Sequence, residues 1–120
     1  MNTEDLKWNK MVGLWGDFKL ESPYEELMTY WNEVNNGGHY QFFDNVSGRT
    51  DLTKSIKNLL GVLPSEFKPL VEKAFKMYEK DPDDENDELS DFLDQCDDFF
   101  YRNEEKITEV LQNYANTLSL

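Results

Sequence analysis

Apolar residues recur at three- and four-residue steps along most of this chain, the spacing that stacks side chains on one face of an α-helix. Leu27, Met28, Trp31 and Val34 form the first clear series. Ser22-Pro23-Tyr24-Glu25 predicts its start, with Ser22 as cap, Pro23 in the first helical position and Glu25 three residues after the cap. Asn35-Asn36-Gly37-Gly38 predicts its end, because glycine accepts the left-handed conformation that closes a helix. A short helix over 39–45 then presents Phe42 and Phe43, and Gly48 stops it. Leu52, Ile56, Leu59 and Leu60 line the next, between a Thr50 cap and Gly61. Beyond Pro64, the residues Phe67, Leu70, Val71, Ala74, Phe75 and Tyr78 mark another helix, which admits Pro69 only in its opening turn. Asp81-Pro82-Asp83 breaks the pattern. Leu89, Phe92, Leu93, Cys96, Phe99 and Phe100 then give one stripe, and Ile107, Val110, Leu111, Tyr114 and Leu118 the last. Near the N-terminus, Trp8, Met11, Leu14, Trp15 and Phe18 suit a packed helix that Gly13 and Gly16 make less regular.

No segment alternates with period two and no repeat is present. The expectation is an all-α fold: one domain over residues 1–120, a single compact bundle of about five to six helices with a short Asn-Gly-Gly corner between two of them. Residues 1–21 form its less regular part and residues 81–88 an acidic loop. A chain of 120 residues is the length of one domain.

Charge changes the picture. The chain holds 25 acids against 12 Lys and Arg, a net charge of -13, yet 14 % of it is aromatic. Those aromatics can build a core, so the acidity does not mark disorder. Ten of the acids fall between Asp81 and Asp98 with no base among them. Such a charge disfavours direct binding to nucleic acid or to an anionic membrane and favours a basic protein partner. Cys96 is the sole cysteine, which excludes an intrachain disulfide and a cysteine-based zinc site. No apolar run reaches the roughly 18 residues of a membrane span. Glu4 and Asp5 stand where a secretory signal carries positive charge, so the expected location is the cytoplasm.

Catalytic signatures are absent: there is no phosphate-binding GxxxxGK[ST], no GxGxxG, no HExxH and no GxSxG. His39, the single histidine, reads as a partly packed side chain without catalytic duty, and Cys96 as a buried inert thiol. Calcium loops of the EF-hand type fail in both registers. Counting from Asp81 puts Asn86 and Phe92 at the positions for Gly and Glu, and counting from Asp83 puts Glu88 and Asp94 there. The chain is therefore expected to be neither an enzyme nor a carrier of a metal or cofactor.

Asp87, Asp91, Asp94 and Asp98 recur at steps of four, three and four, on a helix face opposite Leu89, Phe92, Cys96 and Phe99. With Glu88 and Asp97 they place a charge about every 3 Å, near the roughly 3.4 Å charge spacing of one strand of B-DNA. Like charges at i,i+4 cost a few tenths of a kcal/mol each, and acids near a helix C-terminus oppose its dipole. The face is either a solvated surface that keeps the protein in solution or one shaped to enter a basic cleft.

The segment Glu33-Val34-Asn35-Asn36-Gly37-Gly38-His39-Tyr40-Gln41-Phe42-Phe43-Asp44-Asn45 resembles the signature of a bacterial domain family named after a DNA-mimic protein. That signature reads, approximately, Glu-Val-Asn-Asn-Gly-Gly, an aromatic, then Gln-Phe-Phe and a nearby Asn. The likeness continues through Ile56 to Gly61, Leu93-Asp94, Phe99-Phe100-Tyr101 and a closing helix near Tyr114, about residues 22–118 in all. His39 departs from it, standing where an aromatic is expected, so a hydrophobic contact there is missing or replaced. The signature residues read as architecture: Asn36, Gly37 and Gly38 turn the corner and Phe42 and Phe43 supply core. Glu33, Gln41 and Asn45 are placed to bond the corner's free backbone groups. The resemblance implies an all-helical domain that can pair into a homodimer and, at its namesake, a role in occupying the DNA site of a DNA-binding protein.

The leading expectation is an acidic protein-binding domain that mimics DNA toward a basic DNA-binding protein such as a transcription regulator. Its partner-binding residues would be Asp83, Asp84, Glu85, Asp87, Glu88, Asp91, Asp94, Asp97 and Asp98. The alternative is a small interaction or immunity-type protein that neutralises a basic partner, such as a toxin, without imitating DNA.

Overall fold

A computed structural model describes residues 2–120, and among them every regular element is helical. The five helices are α1 (Thr3–Gly16), α2 (Tyr24–Ser47), α3 (Leu52–Leu60), α4 (Lys68–Lys80) and α5 (Glu88–Ala115). This is the expected all-α bundle. α5, 28 residues long, is its spine. It packs against α1, α2 and α4, while α3 bridges α2 and α4.

α1 is more regular than its glycines suggest. Asn2 caps it by accepting the Asp5 amide at 2.8 Å, and Glu4 and Asp5 sit favourably at the positive end of its dipole. Met11 is its one buried residue. Phe18, read from the sequence as a packed position, lies past the helix end with φ 59° and is 90 % exposed. α1 is tied to the end of α5 by Lys7 on the Asn116 carbonyl (2.9 Å) and to α2 by Trp8 edge-on to Trp31.

Three helix starts differ from expectation. Pro23 occupies the cap position of α2 rather than its first turn, and the Ser22 hydroxyl donates to the buried Glu26 carboxylate instead of capping backbone. Asp51, not Thr50, caps α3 by accepting the Lys54 amide. Asp87, expected on the helix face, is the residue before α5 and has φ 61°. Pro69 does lie in the first turn of α4.

The two C-terminal stripes belong to one helix. Between Phe100 and Ile107 stand Tyr-Arg-Asn-Glu-Glu-Lys, without Gly or Pro to interrupt it. That continuity reverses the dipole argument. The aspartates lie in the N-terminal half of α5, where Glu88 and Asp91 in the first turn are favoured.

The corner forms at Gly37 (φ -159°, ψ 16°) and Gly38 (φ 83°, ψ -179°), which divide α2 into two arms. Gly38 adopts a backbone conformation essentially confined to glycine. A Cβ there would stand 2.6 Å from the Asp97 carboxylate. Glu33, Gln41 and Asn45 do not serve the corner's backbone as expected. The Gln41 and Asn45 amides donate to Glu33 Oε2 at 3.0 and 2.9 Å, and Arg49 reaches Oε1 at 3.2 Å. Glu33 is buried, and three donors compensate its charge. The two arms are thus clipped together by side chains. Tyr30, Val34, Phe42, Phe43, Leu93 and Phe100 are buried in the core common to all five helices.

Candidate partner-binding surface

The acidic segment is built by its own carboxylates. Asp81 ends α4 and accepts the Glu85 amide through Oδ2 at 2.9 Å. Asp84, with φ 55°, accepts the Leu89 and Ser90 amides at 3.0 and 3.3 Å and the Ser90 hydroxyl. It thereby does for the start of α5 what the side chain of Asp87 does not. Tyr40, from the second arm of α2, donates its hydroxyl to the Pro82 carbonyl at 2.5 Å and pins the loop to the corner.

That anchor brings in an acid outside the run. Asp44 accepts the Tyr78 hydroxyl at 2.7 Å, and its carboxylate acts on Tyr40 together with Asp84, Asp83 and Asp81. Desolvation first, then these four charges, hold the Tyr40 hydroxyl above its ordinary pKa. Sequence reasoning missed Asp44. Its one signal was the four-residue spacing from Tyr40, which puts both on a single helix face.

The structure sorts the sequence-predicted residues into two groups. Asp83, Glu85, Asp87, Glu88, Asp91, Asp94 and Asp98 are exposed, whereas Asp84 and Asp97 are partly buried and already hydrogen-bonded. Asp97 points into the corner. Its Oδ1 accepts both the backbone amide (2.8 Å) and the Nδ1–H (2.6 Å) of His39. His39 is fully buried, and its Nε2 lies 2.6 Å from the Tyr30 hydroxyl. Burial keeps that phenol protonated by raising its pKa well above the usual value, and the imidazole is held between the Asp97 carboxylate at Nδ1 and the Tyr30 hydroxyl at Nε2. The aromatic contact expected at this position is replaced by a polar one that retains edge-on packing on Tyr30 and Phe100.

Two further residues of α5 follow Asp97 along this face. Tyr101 donates to the Val34 carbonyl at 3.1 Å, and Glu104 accepts the Trp31 indole N–H (2.9 Å) and the Asn35 amide (3.1 Å). The face bearing Asp97, Tyr101 and Glu104 fixes α5 to α2, leaving Asp91, Asp94 and Asp98 exposed. Cys96 is fully buried and its thiol is pushed up to about 12, by burial first and Asp97 second, which removes it as a nucleophile at neutral pH.

Residues 26–118 match the family model described as DMP19-like protein, DMP19 being DNA mimic protein 19. The chain belongs to the DMP19-like family. The match runs from the first turn of α2 past the end of α5, taking in the corner, the acidic loop and the exposed aspartates but leaving out α1. No curated protein and no solved structure matches the chain. The family takes its name from a DNA mimic. Among the described residues of this DMP19-like chain, no helix is long and apolar enough to cross a membrane, and no three His, Cys, Asp or Glu are grouped to hold a metal.

Proposed function

We propose that this protein acts as a DNA mimic, presenting its acidic surface to the nucleic-acid site of a basic DNA-binding protein such as a transcription regulator. The exposure of Asp91, Asp94 and Asp98 along one helix carries this reading, with Asp83, Glu85, Asp87 and Glu88 continuing the charge into the loop. Asp84 and Asp97 hold the loop and the helix that present them. The family match supports it. A helix already folded spares the backbone ordering that binding would otherwise cost, which favours association with a basic cleft.

The experiment is a capture of binding proteins on the wild type and on a variant carrying D87N, D91N, D94N and D98N, eluted with duplex DNA or with salt. A DNA-binding protein held only by the wild type and released by both is the expected result. Equal capture by both proteins excludes this surface.

A second reading is a neutralising contact with a basic partner that does not imitate DNA. Tyr101 favours it, since an aromatic ring 51 % exposed beside Asp97 and Glu104 is the kind of anchor a mixed protein interface uses. Tyr101→Ala would then weaken binding more than the four asparagines do, and duplex DNA would not compete.

A further inference from the structure

A groove of about 570 Å³ opens between the two arms of α2, the end of α1 and the start of α3, a volume typical of small-molecule sites. No residue of the acidic surface lines it. Trp15, Phe18, Phe42 and Val46 supply its apolar walls, and Phe18 stands at the rim almost wholly exposed. The turn that carries Phe18 is held by hydrogen bonds from its own amide to the Trp15 carbonyl and from Lys19 to the Leu14 carbonyl.

The charge inside this groove is unbalanced. Arg49, the one cation among its lining residues, is engaged by Glu33 at 3.2 Å and by the Asn45 carbonyl at 3.2 Å. Glu26 is buried and held by Asn58 at 2.6 Å and by Ser22. Glu25 takes the Thr29 hydroxyl, at 3.1 Å through Oε1, and is in hydrogen-bond contact with the Glu26 carboxyl; the Thr29 hydroxyl oxygen also accepts the Trp15 indole N–H at 2.9 Å. Desolvation raises the Glu25 pKa, the Thr29 bond lowers it, the charge of Glu26 and the hydrogen bond with it both raise it, and Arg49 acts least. Two neighbouring carboxylates in an apolar cleft lack a cation of their own.

We infer that the groove binds a small organic cation with an aromatic body, of the arylalkylamine class, its ammonium on Glu25 and its ring among Trp15, Phe18 and Phe42. The ammonium would relieve the repulsion between Glu25 and Glu26, and Trp15 and Phe18 offer ring faces that attract cations and stack on aromatic groups. The uncovered Phe18 ring would lose its exposure to water on binding.

The test is a calorimetric titration of the whole chain with 2-phenylethylamine, its neutral analogue 2-phenylethanol and its anionic analogue 3-phenylpropionate. Saturable binding of the amine, with both analogues at least about tenfold weaker, is expected because a charge-assisted hydrogen bond to a half-buried carboxylate separates them. Glu25→Gln and, independently, Phe18→Ala should each weaken the amine by about tenfold, the second at an exposed position that leaves folding intact. Asp98→Asn should leave it unchanged. Absence of amine binding, equal binding of the alcohol, an unaltered amine affinity in Phe18→Ala, or an equal loss in Asp98→Asn would overturn the inference.

Discussion

Asp97 receives His39 twice through one oxygen: the backbone amide and the Nδ1–H both end on Oδ1, at 2.8 and 2.6 Å. His39 is the first residue of the second arm of α2, beyond Gly38, so this carboxylate from α5 caps an arm that its own sequence leaves uncapped. The same contact orients the imidazole toward Tyr30.

Removing this cap should be costly. Asp97→Ala strands two buried donors, an expected loss of about 2–4 kcal/mol against about 0.5 kcal/mol or less for the adjacent exposed Asp98→Ala. Urea unfolding followed by circular dichroism compares them, and equal midpoints for the two variants would show that Asp97 has no special role.

The hydroxyl of Tyr30 and the ring of His39 should be energetically coupled. His39→Phe keeps the ring but leaves the fully buried Tyr30 hydroxyl without its partner, while Tyr30→Phe does the converse. A double-mutant cycle should therefore give a coupling of about 1 kcal/mol, the double variant being more stable than the sum of the singles predicts. Strict additivity would argue against the hydrogen bond.

Two glycine substitutions should move stability in opposite directions. Gly38→Ala forces a side chain into a left-handed, extended backbone and against Asp97, at an expected cost of about 3 kcal/mol or more. Gly13→Ala lies inside α1 with open space around it and should stabilise by about 0.5–1 kcal/mol. Thermal unfolding measures both.

Alkaline pH should weaken the fold. The Cys96 thiol is raised from 9.0 to about 12, so the folded state favours the neutral form. Its contribution is complete below pH 9 and is lost as pH rises toward 12, at up to about 1.4 kcal/mol per pH unit. Tyr30, raised in the same direction, adds to the loss at higher pH. Unfolding midpoints in urea should fall between pH 9 and 11, and Cys96→Ala should flatten the slope. A slope unchanged by that substitution would exclude the thiol as its source.

Much of the fold was legible because helix formation and burial impose the same 3.6-residue period. Leu27, Val34, Ile56, Leu59, Val71, Ala74, Leu93 and Leu111 all fall on their predicted stripes and all are buried. The bend at Gly37-Gly38 was legible for a local reason too, since Gly38 occupies a conformation that other residues avoid. The helix starts were less so. Ser22 and Thr50 have capping chemistry, but a cap acts only where the chain direction aims its oxygen at free amides, and Asp51 and Asp84 hold those places.

The sequence by itself determined an all-helical chain with a glycine corner, a dense acidic segment and a helical spacing that sets aspartates opposite an apolar stripe. Tertiary structure decided which aspartates stay free. Asp97 and Asp98 are neighbours of identical chemistry, but successive residues on a helix point about 100° apart. Once Leu93, Cys96 and Phe100 fix the rotation of α5 against the core, Asp97 must face His39 and Asp98 must face water. The core also decided that Tyr40 reaches the Pro82 carbonyl, 42 residues along the chain, and so adds Asp44 to the acidic surface. Local spacing carries no information about such contacts, because they depend on how separate helices dock.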